Sequence, residues 1–223
     1  MESGLSLVLQ STPFLLKGCV YTVVLAVSSM ALGLVLGFGF AMMRLSPLAA
    51  VRLAASAYVS AFRGTPLLVQ LFLIYYGLPQ LGVQIEPMPS AIIGFTLNVG
   101  AYTSEILRGA IAGVDRGQWE AASALGMSRV QTLTRVILPQ AARTALPPLG
   151  NSFIGLVKDT SLAATIQVPE LFRQAQMITA RTFEIFAMYL STAAIYWLLS
   201  SGLAALQSAL EARATRHGRE PPR

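Results

Sequence analysis

Long apolar segments alternate with short charged segments along most of this 223-residue chain. Four stretches contain no Asp, Glu, Lys or Arg: residues 18–43, 64–85, 87–104 and 185–210. Each is about long enough to cross a hydrocarbon core of roughly 30 Å as a helix. A fifth apolar stretch, residues 145–166, is interrupted by Lys158 and Asp159. The pattern therefore predicts an all-α polytopic membrane protein with five transmembrane helices, at about residues 18–43, 64–85, 88–107, 145–166 and 186–206.

The composition agrees with this pattern, because 54% of the residues are hydrophobic, only 12% are charged and the mean hydropathy is +0.61. A soluble globular domain has about twice that share of charged residues. Residues 1–16 are predicted to form a short periplasmic lead, with no removable signal peptide because a basic first segment is missing. Residues 17–210 form the predicted transmembrane domain, and residues 211–223 a basic cytoplasmic tail.

Arginine is distributed unevenly between the two sides of the predicted spans, and such a bias sets membrane orientation. One side holds Arg44, Arg52, Arg63, Arg108, Arg116, Arg129, Arg135, Arg143, Arg213, Arg216, Arg219 and Arg223, whereas the other holds Lys17, Arg173 and Arg181. We therefore expect the amino terminus outside and the carboxyl terminus in the cytoplasm. The pI near 9.9 reflects this topology. It does not indicate a nucleic-acid partner, because no basic cluster with aromatic or groove-reading residues is present.

Residues that carry catalytic or metal chemistry are scarce. Cys19 is the only cysteine, which excludes an internal disulfide and a multi-cysteine metal site. His217 is the only histidine and lies in the polar tail, where we expect it to be solvated. The sequence therefore predicts no catalytic residue, no metal site and no cofactor in this chain.

Small residues mark the loop between the third and fourth predicted spans, residues 113–139. Ala121, Ala122 and Gly126 leave little beyond the backbone on a helix, so another protein can approach closely. Glu120 is predicted to lie in the first helical turn, where negative charge complements the helix dipole. Ser128 and Gln131 have the spacing of a capping box, which predicts a second helix ending just before Pro139.

The spacing of these residues resembles the cytoplasmic signature of the membrane subunits of ABC importers. That signature runs Glu-Ala-Ala, three residues, Gly, nine residues, Ile, one residue, Leu-Pro, and this chain departs from it only in having Val136 for Ile. The segments 62–67, 75–79 and 98–109 are similar to the polar amino acid branch of these permeases. The resemblance implies the type I fold in a bacterial inner membrane, with a coupling helix in the loop. It also implies that an ATPase contacts Glu120, Ala121, Ala122 and Gly126.

The same resemblance implies the partners of the chain. They are two cytoplasmic ATPase subunits, a second permease subunit, identical or different, and a periplasmic solute-binding protein that delivers a polar amino acid. The sequence contains no Gly, four residues, Gly-Lys-Ser or Gly-Lys-Thr, so it has no Walker A loop for nucleotide phosphates. ATP would therefore be bound by the partner subunit, and this chain would not itself be an enzyme.

The fourth span contains the candidate solute pathway, Asp159, Thr160 and Ser161. Helix rise places Asp159 roughly 20 Å into the bilayer, where a charge is costly unless it is paired or hydrated. The alternative is structural hydrogen bonding, and the sequence does not choose between the two. Prolines and glycines predict that the helix is interrupted before this point, at Pro147, Pro148, Gly150 and Gly155.

Two further contacts are predicted within the bundle. Gly33 and Gly37 have the small-xxx-small spacing of closely packed membrane helices. Glu105 and Arg108 share a helix face, which predicts an ion pair at the cytoplasmic boundary.

Two other functions compete with an ABC permease. A stand-alone secondary transporter or channel would explain a broken span with buried charges, but not the small-residue loop. An intramembrane enzyme would need a nucleophile with a nearby base, and the chain offers no credible pair. The transported amino acid itself is not determined by the sequence.

Overall fold

The computed structural model describes residues 4–216, and the all-α class is confirmed for this part of the chain. The α-helices are α1 Gly4–Arg44, α2 Ala49–Gly64, α3 Leu67–Phe72, α4 Pro87–Ala112, α5 Arg116–Ala124, α6 Arg129–Thr132, α7 Leu138–Asp159, α8 Leu171–Thr182 and α9 Ile185–Arg216. Two π-helical turns, Leu73–Gly77 and Leu133–Ile137, and two 3₁₀ segments, Leu78–Leu81 and Thr160–Ile166, continue these helices. His217 and the rest of the predicted tail beyond residue 216 lie outside the described residues.

By length and apolar composition, two of the described helices qualify as membrane spans: Ser6–Arg44 and Ile185–Ala212. A third span results if Ala49–Gly64 and Leu67–Leu81, which are bent by 103° relative to each other, cross the membrane together. The prediction of five spans is therefore not confirmed at this level. The other two long helices are more polar. Helix α7 carries Lys158 and Asp159, and α4 carries buried polar residues such as Ser90, Thr103 and Ser104.

Helix α1 is continuous from Gly4 to Arg44 and contains Pro13. The described part of the predicted lead, residues 4–16, is therefore continuous with the helix of the first predicted span, and the periplasmic position of this lead stays a prediction. Tertiary packing explains the continuity. Leu15 is buried in a cluster with Leu171 and Met188 of α8 and α9, so the first turns of α1 belong to the bundle.

Glycines bring α1 and α4 into close contact, as the sequence predicts. A Cβ atom at Gly33 would lie 2.8 Å from the Val99 side chain, and one at Gly37 would overlap the Thr103 hydroxyl. The Thr103 hydroxyl donates a hydrogen bond of 3.0 Å to the Gly33 carbonyl across the interface. This contact joins the longest helix to the helix that leads into the small-residue loop.

Both π-helical turns end immediately before a Leu-Pro pair, at Pro79 and at Pro139. In an α-helix the ring of proline collides with the carbonyl four residues earlier. A π turn shifts the hydrogen bond to the fifth residue, as the Leu138 N–H shows by donating to the Leu133 carbonyl. The prediction that the helix beginning at Ser128 ends before Pro139 is therefore wrong, because the chain passes directly into α7.

Helix α7 also continues through Pro147 and Pro148, so the predicted interruption is wrong. Interior prolines cost roughly 3 kcal/mol or more in an isolated helix, and neighbouring helices offset this cost here. Gln207 of α9 donates to the Pro147 carbonyl at 3.0 Å and fills the space beside Gly150. The regular helix ends instead at Asp159, where the 3₁₀ segment Thr160–Ile166 begins.

Helix α8 is attached to the bundle through Glu170, which is fully buried at its amino end. The carboxylate accepts hydrogen bonds from the N–H groups of Phe172 (2.9 Å) and Arg173 (2.6 Å). The Tyr196 hydroxyl of α9 donates to it at 2.6 Å. The Leu171 N–H donates to Thr22 of α1, so one helix end connects three elements.

Candidate solute cavity and coupling surface

A cavity of about 550 Å³, lined by both polar and apolar residues, lies where the bend between α2 and α3 faces α4 and α7. It is lined by Arg63, Gly64, Thr65, Pro66, Leu67, Asn98, Val99, Tyr102, Ser152, Gly155, Leu156, Asp159 and Leu162. Among these lining residues, Arg63 and Asp159 carry opposite charges. The cavity can therefore receive a small polar molecule that bears both charges.

The bend that forms one wall is held by amide side chains. Pro66 cannot continue α2, since its N–H is missing and it disfavours helical backbone at Thr65. Gln70 donates through Nε2 to the Phe62 carbonyl and to the Thr65 hydroxyl, both at 2.9 Å. Asn98 of α4 donates to the Gln70 Oε1 atom at 3.0 Å, so α4 holds the turn in place.

The structure separates the three residues predicted for the solute pathway. Asp159 lines the cavity at the end of α7. Thr160 is fully buried and donates to the Val157 carbonyl at 2.7 Å, whereas Ser161 donates to the Lys158 carbonyl at 2.8 Å. Thr160 and Ser161 therefore stabilise the transition from α7 to the 3₁₀ segment, and Asp159 is the member of the set that faces the cavity.

Three arginine side chains and one glutamate meet beside the cavity, at the cytoplasmic ends of the helices in the predicted topology. The predicted pair is confirmed: Arg108 donates to both Glu105 oxygens at 3.2 Å. Arg44 of α1 contacts the same carboxylate, and the Arg63 Nη1 atom lies 3.6 Å from it. The Arg63 guanidinium also lies over the Tyr102 ring, 5.4 Å from its centroid.

Helix α5 occupies the predicted coupling loop. Asp115 caps it by accepting a hydrogen bond of 2.7 Å from the Gly117 N–H. Glu120 lies beyond the first turn, so its predicted interaction with the amino end of the helix is wrong, and its side chain is exposed. The predicted capping box is confirmed, with Ser128 and Gln131 bonded reciprocally at 2.9 and 3.3 Å.

The small residues of the loop have different surroundings. Ala121 and Gly126 are exposed, whereas Ala122 is only 3% exposed and lies inside the molecule. Gly126 has a φ of +72° and follows α5 in a Schellman motif, in which its N–H donates to Ser123 and the Met127 N–H to the Ala122 carbonyl. Small size at Ala122 thus serves internal packing, and glycine at 126 serves the backbone.

Several cavity residues are not among the sequence predictions. Arg63 has the pattern of a membrane-interface arginine, and Asn98, Thr65 and Ser152 are uncharged residues within apolar segments. The sequence signal for Asn98 and Thr65 is a polar residue within a predicted span, which by itself also fits helix packing. Their convergence depends on the angle of the bend after Gly64. Pro66 determines where the helix ends, but local sequence does not specify that angle.

Comparisons with known proteins agree on one family. Residues 29–216 match the family described as binding-protein-dependent transport system inner membrane component. The L-cystine transport system permease protein TcyB of Bacillus subtilis (strain 168) is 50% identical over 206 residues, which cover 92% of this chain and 88% of that protein. The octopine transport system permease protein OccM of Rhizobium radiobacter is 42% identical over 206 residues, 88% of this chain and 84% of its own.

Solved structures give the same result. The crystal structure of an amino acid ABC transporter with histidines contains a chain with a TM-score of 0.91 and 38% identity, covering 96% of this chain and 99% of that one. An inward-facing MetNI methionine ABC transporter has a TM-score of 0.70 at 20% identity, covering 88% and 95%, and shows likeness of fold. The chain therefore belongs to the inner membrane components of binding-protein-dependent transport systems, as a multi-pass permease subunit of an ABC importer.

Proposed function

We propose that this permease carries a polar amino acid from the periplasm to the cytoplasm through the cavity beside Asp159. The observation that carries the proposal is the position of this carboxylate in a cavity of about 550 Å³ whose lining is both polar and apolar. Such a volume lies within the usual range of small-molecule sites, roughly 300–1,000 Å³. Asp159 would hold the ammonium group that every amino acid presents, and the relatives named above support this class of solute.

Five spans fit the helices of the structure and the arginine bias together. They would be α1, the segment from α3 through the 3₁₀ turn at Leu78–Leu81, α4, α7 and α9, with α2 on the cytoplasmic side, where Arg52 and Arg63 are predicted. Helices α4 and α7 would cross as interior helices, whose polar side chains face one another and the cavity. The amino terminus would then be periplasmic and the carboxyl terminus cytoplasmic, as the arginines predict.

Energy for transport would come from partner subunits. Two ATPase subunits would bind ATP and contact α5 through Glu120, Ala121 and Gly126, with Ala122 supporting the helix from inside. A second permease subunit and a periplasmic solute-binding protein would complete the complex. Closure of the ATPases would move α5, and α7 would transmit this motion through the continuous helical path from the π turn at Leu133–Ile137 to the cavity.

The test is uptake by proteoliposomes containing the permease, its ATPase and its binding protein. Labelled L-cystine and octopine are the first probes, because the relatives TcyB and OccM are named for them. We expect uptake that requires ATP and falls at least tenfold in Asp159→Asn, since a charge-assisted contact contributes roughly 1.5–3 kcal/mol. Lys158→Gln is the matched control, because Lys158 is adjacent but does not line the cavity.

The outcomes separate the competing functions. Uptake of amino acids by Asp159→Asn with unchanged kinetics would contradict the assigned pathway. Uptake driven by a proton or sodium gradient, without ATPase or binding protein, would instead identify a stand-alone secondary transporter.

A further inference from the structure

Arg63 occupies a position between two polar environments. It lies in the last turn of α2, directly before the 103° bend, and its side chain is 43% exposed. One of its neighbours is Glu105 at 3.6 Å, and the cavity lies on another side. The guanidinium can therefore interact with either environment without movement of the helix.

Glu105 is already fully engaged by other arginines. Arg44 contacts one of its oxygens, and Arg108 reaches both of them with separate hydrogen bonds. A single carboxylate thus faces three guanidinium groups, which leaves an excess of positive charge. Arg63 has the longest contact of the three, beyond hydrogen-bond distance, and its side chain is the most exposed. Arg63 is therefore the arginine that another anion can withdraw from the cluster most easily.

Tyr102 lies beside the Arg63 guanidinium. The guanidinium carbon lies over the ring, 5.4 Å from its centroid, within the range of a cation–π contact. The N–H donors of a guanidinium lie in the plane of the group, where they match the two oxygens of a carboxylate. Tyr102 also lines the cavity, so this contact keeps the arginine at the same site.

We propose that Arg63 binds the carboxylate of the amino acid solute and exchanges its weak contact with Glu105 for a bidentate one. The inference rests on the proposed function of the cavity. An amino acid carries an ammonium and a carboxylate on the same carbon, and the cavity presents Asp159 and Arg63, one charge for each. The pair selects amino acids over amines and over carboxylic acids, because either of these leaves one charge of the cavity without a partner.

The experiment measures direct binding to the detergent-purified complex of permease and ATPase, without binding protein. The probes are the twenty standard L-amino acids and L-cystine, followed by the decarboxylated amine of the amino acid that binds tightest. In the wild type we expect the amine to bind at least tenfold more weakly. In Arg63→Gln we expect amino acid affinity to fall about 10- to 100-fold, the range for a lost charged hydrogen-bond pair, with amine affinity nearly unchanged. Arg63→Lys, which keeps the charge without the planar fork, should lie between.

Two variants of the cluster give further tests. Glu105→Gln removes the competing carboxylate and should strengthen amino acid binding by up to about fivefold, as expected for a partly exposed ion pair. Arg108→Gln is the matched control, because this arginine contacts the same carboxylate but does not line the cavity, and it should leave affinity for the amino acid within about threefold.

Failure of the inference is distinct from failure of the proposed function. If the wild type binds no amino acid, the cavity is not the solute site and both are overturned. If Asp159→Asn weakens binding while Arg63→Gln and Arg63→Lys do not, only the role of Arg63 is overturned. Equal losses for the amino acid and its amine in both Arg63 variants, with the ATPase still bound, would assign Arg63 to structure and overturn the inference.

Discussion

At the scale of single residues, several buried polar groups in this chain connect helices. Glu170 is the clearest case, because its fully buried carboxylate accepts three hydrogen bonds from α8 and from Tyr196 of α9. Burial raises the pKa of this carboxyl above its ordinary value, since removal from water penalises the charged form more than these hydrogen bonds favour it. The residue therefore contributes a stability that depends on pH.

Glu170→Gln tests this dependence. A raised pKa means that the folded protein binds the proton more tightly than the unfolded chain, so the contribution is complete below the unfolded pKa of about 4.3. It is lost as pH rises through the folded pKa. The thermal midpoint of the wild type relative to Glu170→Gln should therefore fall as pH increases from 4 to 8, measured in detergent. A relative midpoint that rises with pH would show that the hydrogen bonds outweigh burial.

At the scale of elements, sequence patterns predict most of the helices and several of their ends. The apolar stretches place α1, α4 and α9, and the capping box at Ser128 places the start of α6. Gly33 and Gly37 predict the contact of α1 with α4. These features depend on residues close in sequence, or on the close approach that small residues permit.

Features that depend on tertiary packing were not predictable in the same way. Proline propensity predicts a break at Pro147, but contacts with α4 and α9 keep α7 intact. Ala122 suits a docking surface by composition, and only its burial against the rest of the loop shows an internal role. Arg63 reaches the cavity because the chain turns by 103° after Gly64, and no local pattern fixes that angle.

The contact between α1 and α4 gives a prediction with an internal control. Gly37→Ala should destabilise the protein by roughly 1–3 kcal/mol, because the added methyl group overlaps the Thr103 hydroxyl and approaches the Gly100 carbonyl at 2.9 Å. Gly39→Ala places the same group where no neighbouring side chain or helix among the described residues 4–216 lies within 4 Å, and it should be neutral or slightly stabilising. Thermal midpoints of the two variants in detergent provide the comparison, and equal midpoints would contradict the close packing.

The proposed coupling role of α5 is tested best beside Gly126 rather than at it. A side chain at position 126 would be strained by its positive φ, whatever contact the ATPase makes. Leu125 is 82% exposed and follows α5 directly. Leu125→Asp should lower co-purification of the ATPase and ATP-dependent uptake at least tenfold, because it places a charge where apolar surface is expected to be buried.

Leu81→Asp is the control for that prediction. Leu81 is 79% exposed, but it lies near the end of the second predicted span, on the periplasmic side in the predicted topology, so the ATPase should co-purify as with the wild type. Full recovery of the ATPase with Leu125→Asp would remove α5 from the proposed interface.

At the scale of the whole molecule, charge and packing point to one orientation in the membrane. The Glu105 cluster collects arginines from the ends of α1, α2 and α4, and α5 follows α4 after a short turn. Twelve of the 16 Lys and Arg residues lie on this side of the predicted spans, which favours the cytoplasmic side. Glu170 and α8 lie at the opposite end of α7, beyond the 3₁₀ segment, where positive charge is sparse.

This orientation predicts the result of a fusion experiment. A phosphatase that is active only in the periplasm should be active when inserted in residues 80–86, a stretch of mostly exposed residues where Gly82 turns the chain with a φ of +84°. The same reporter should be silent after Arg223, whereas a reporter active only in the cytoplasm should show the reverse pattern. Removing any single arginine should not change this orientation, because twelve arginines on one side outnumber the three basic residues on the other. Phosphatase activity at the carboxyl terminus with silence at residues 80–86 would show that the orientation is the reverse of the predicted one. Helix α5 would then lie on the side of the membrane opposite any cytoplasmic ATPase.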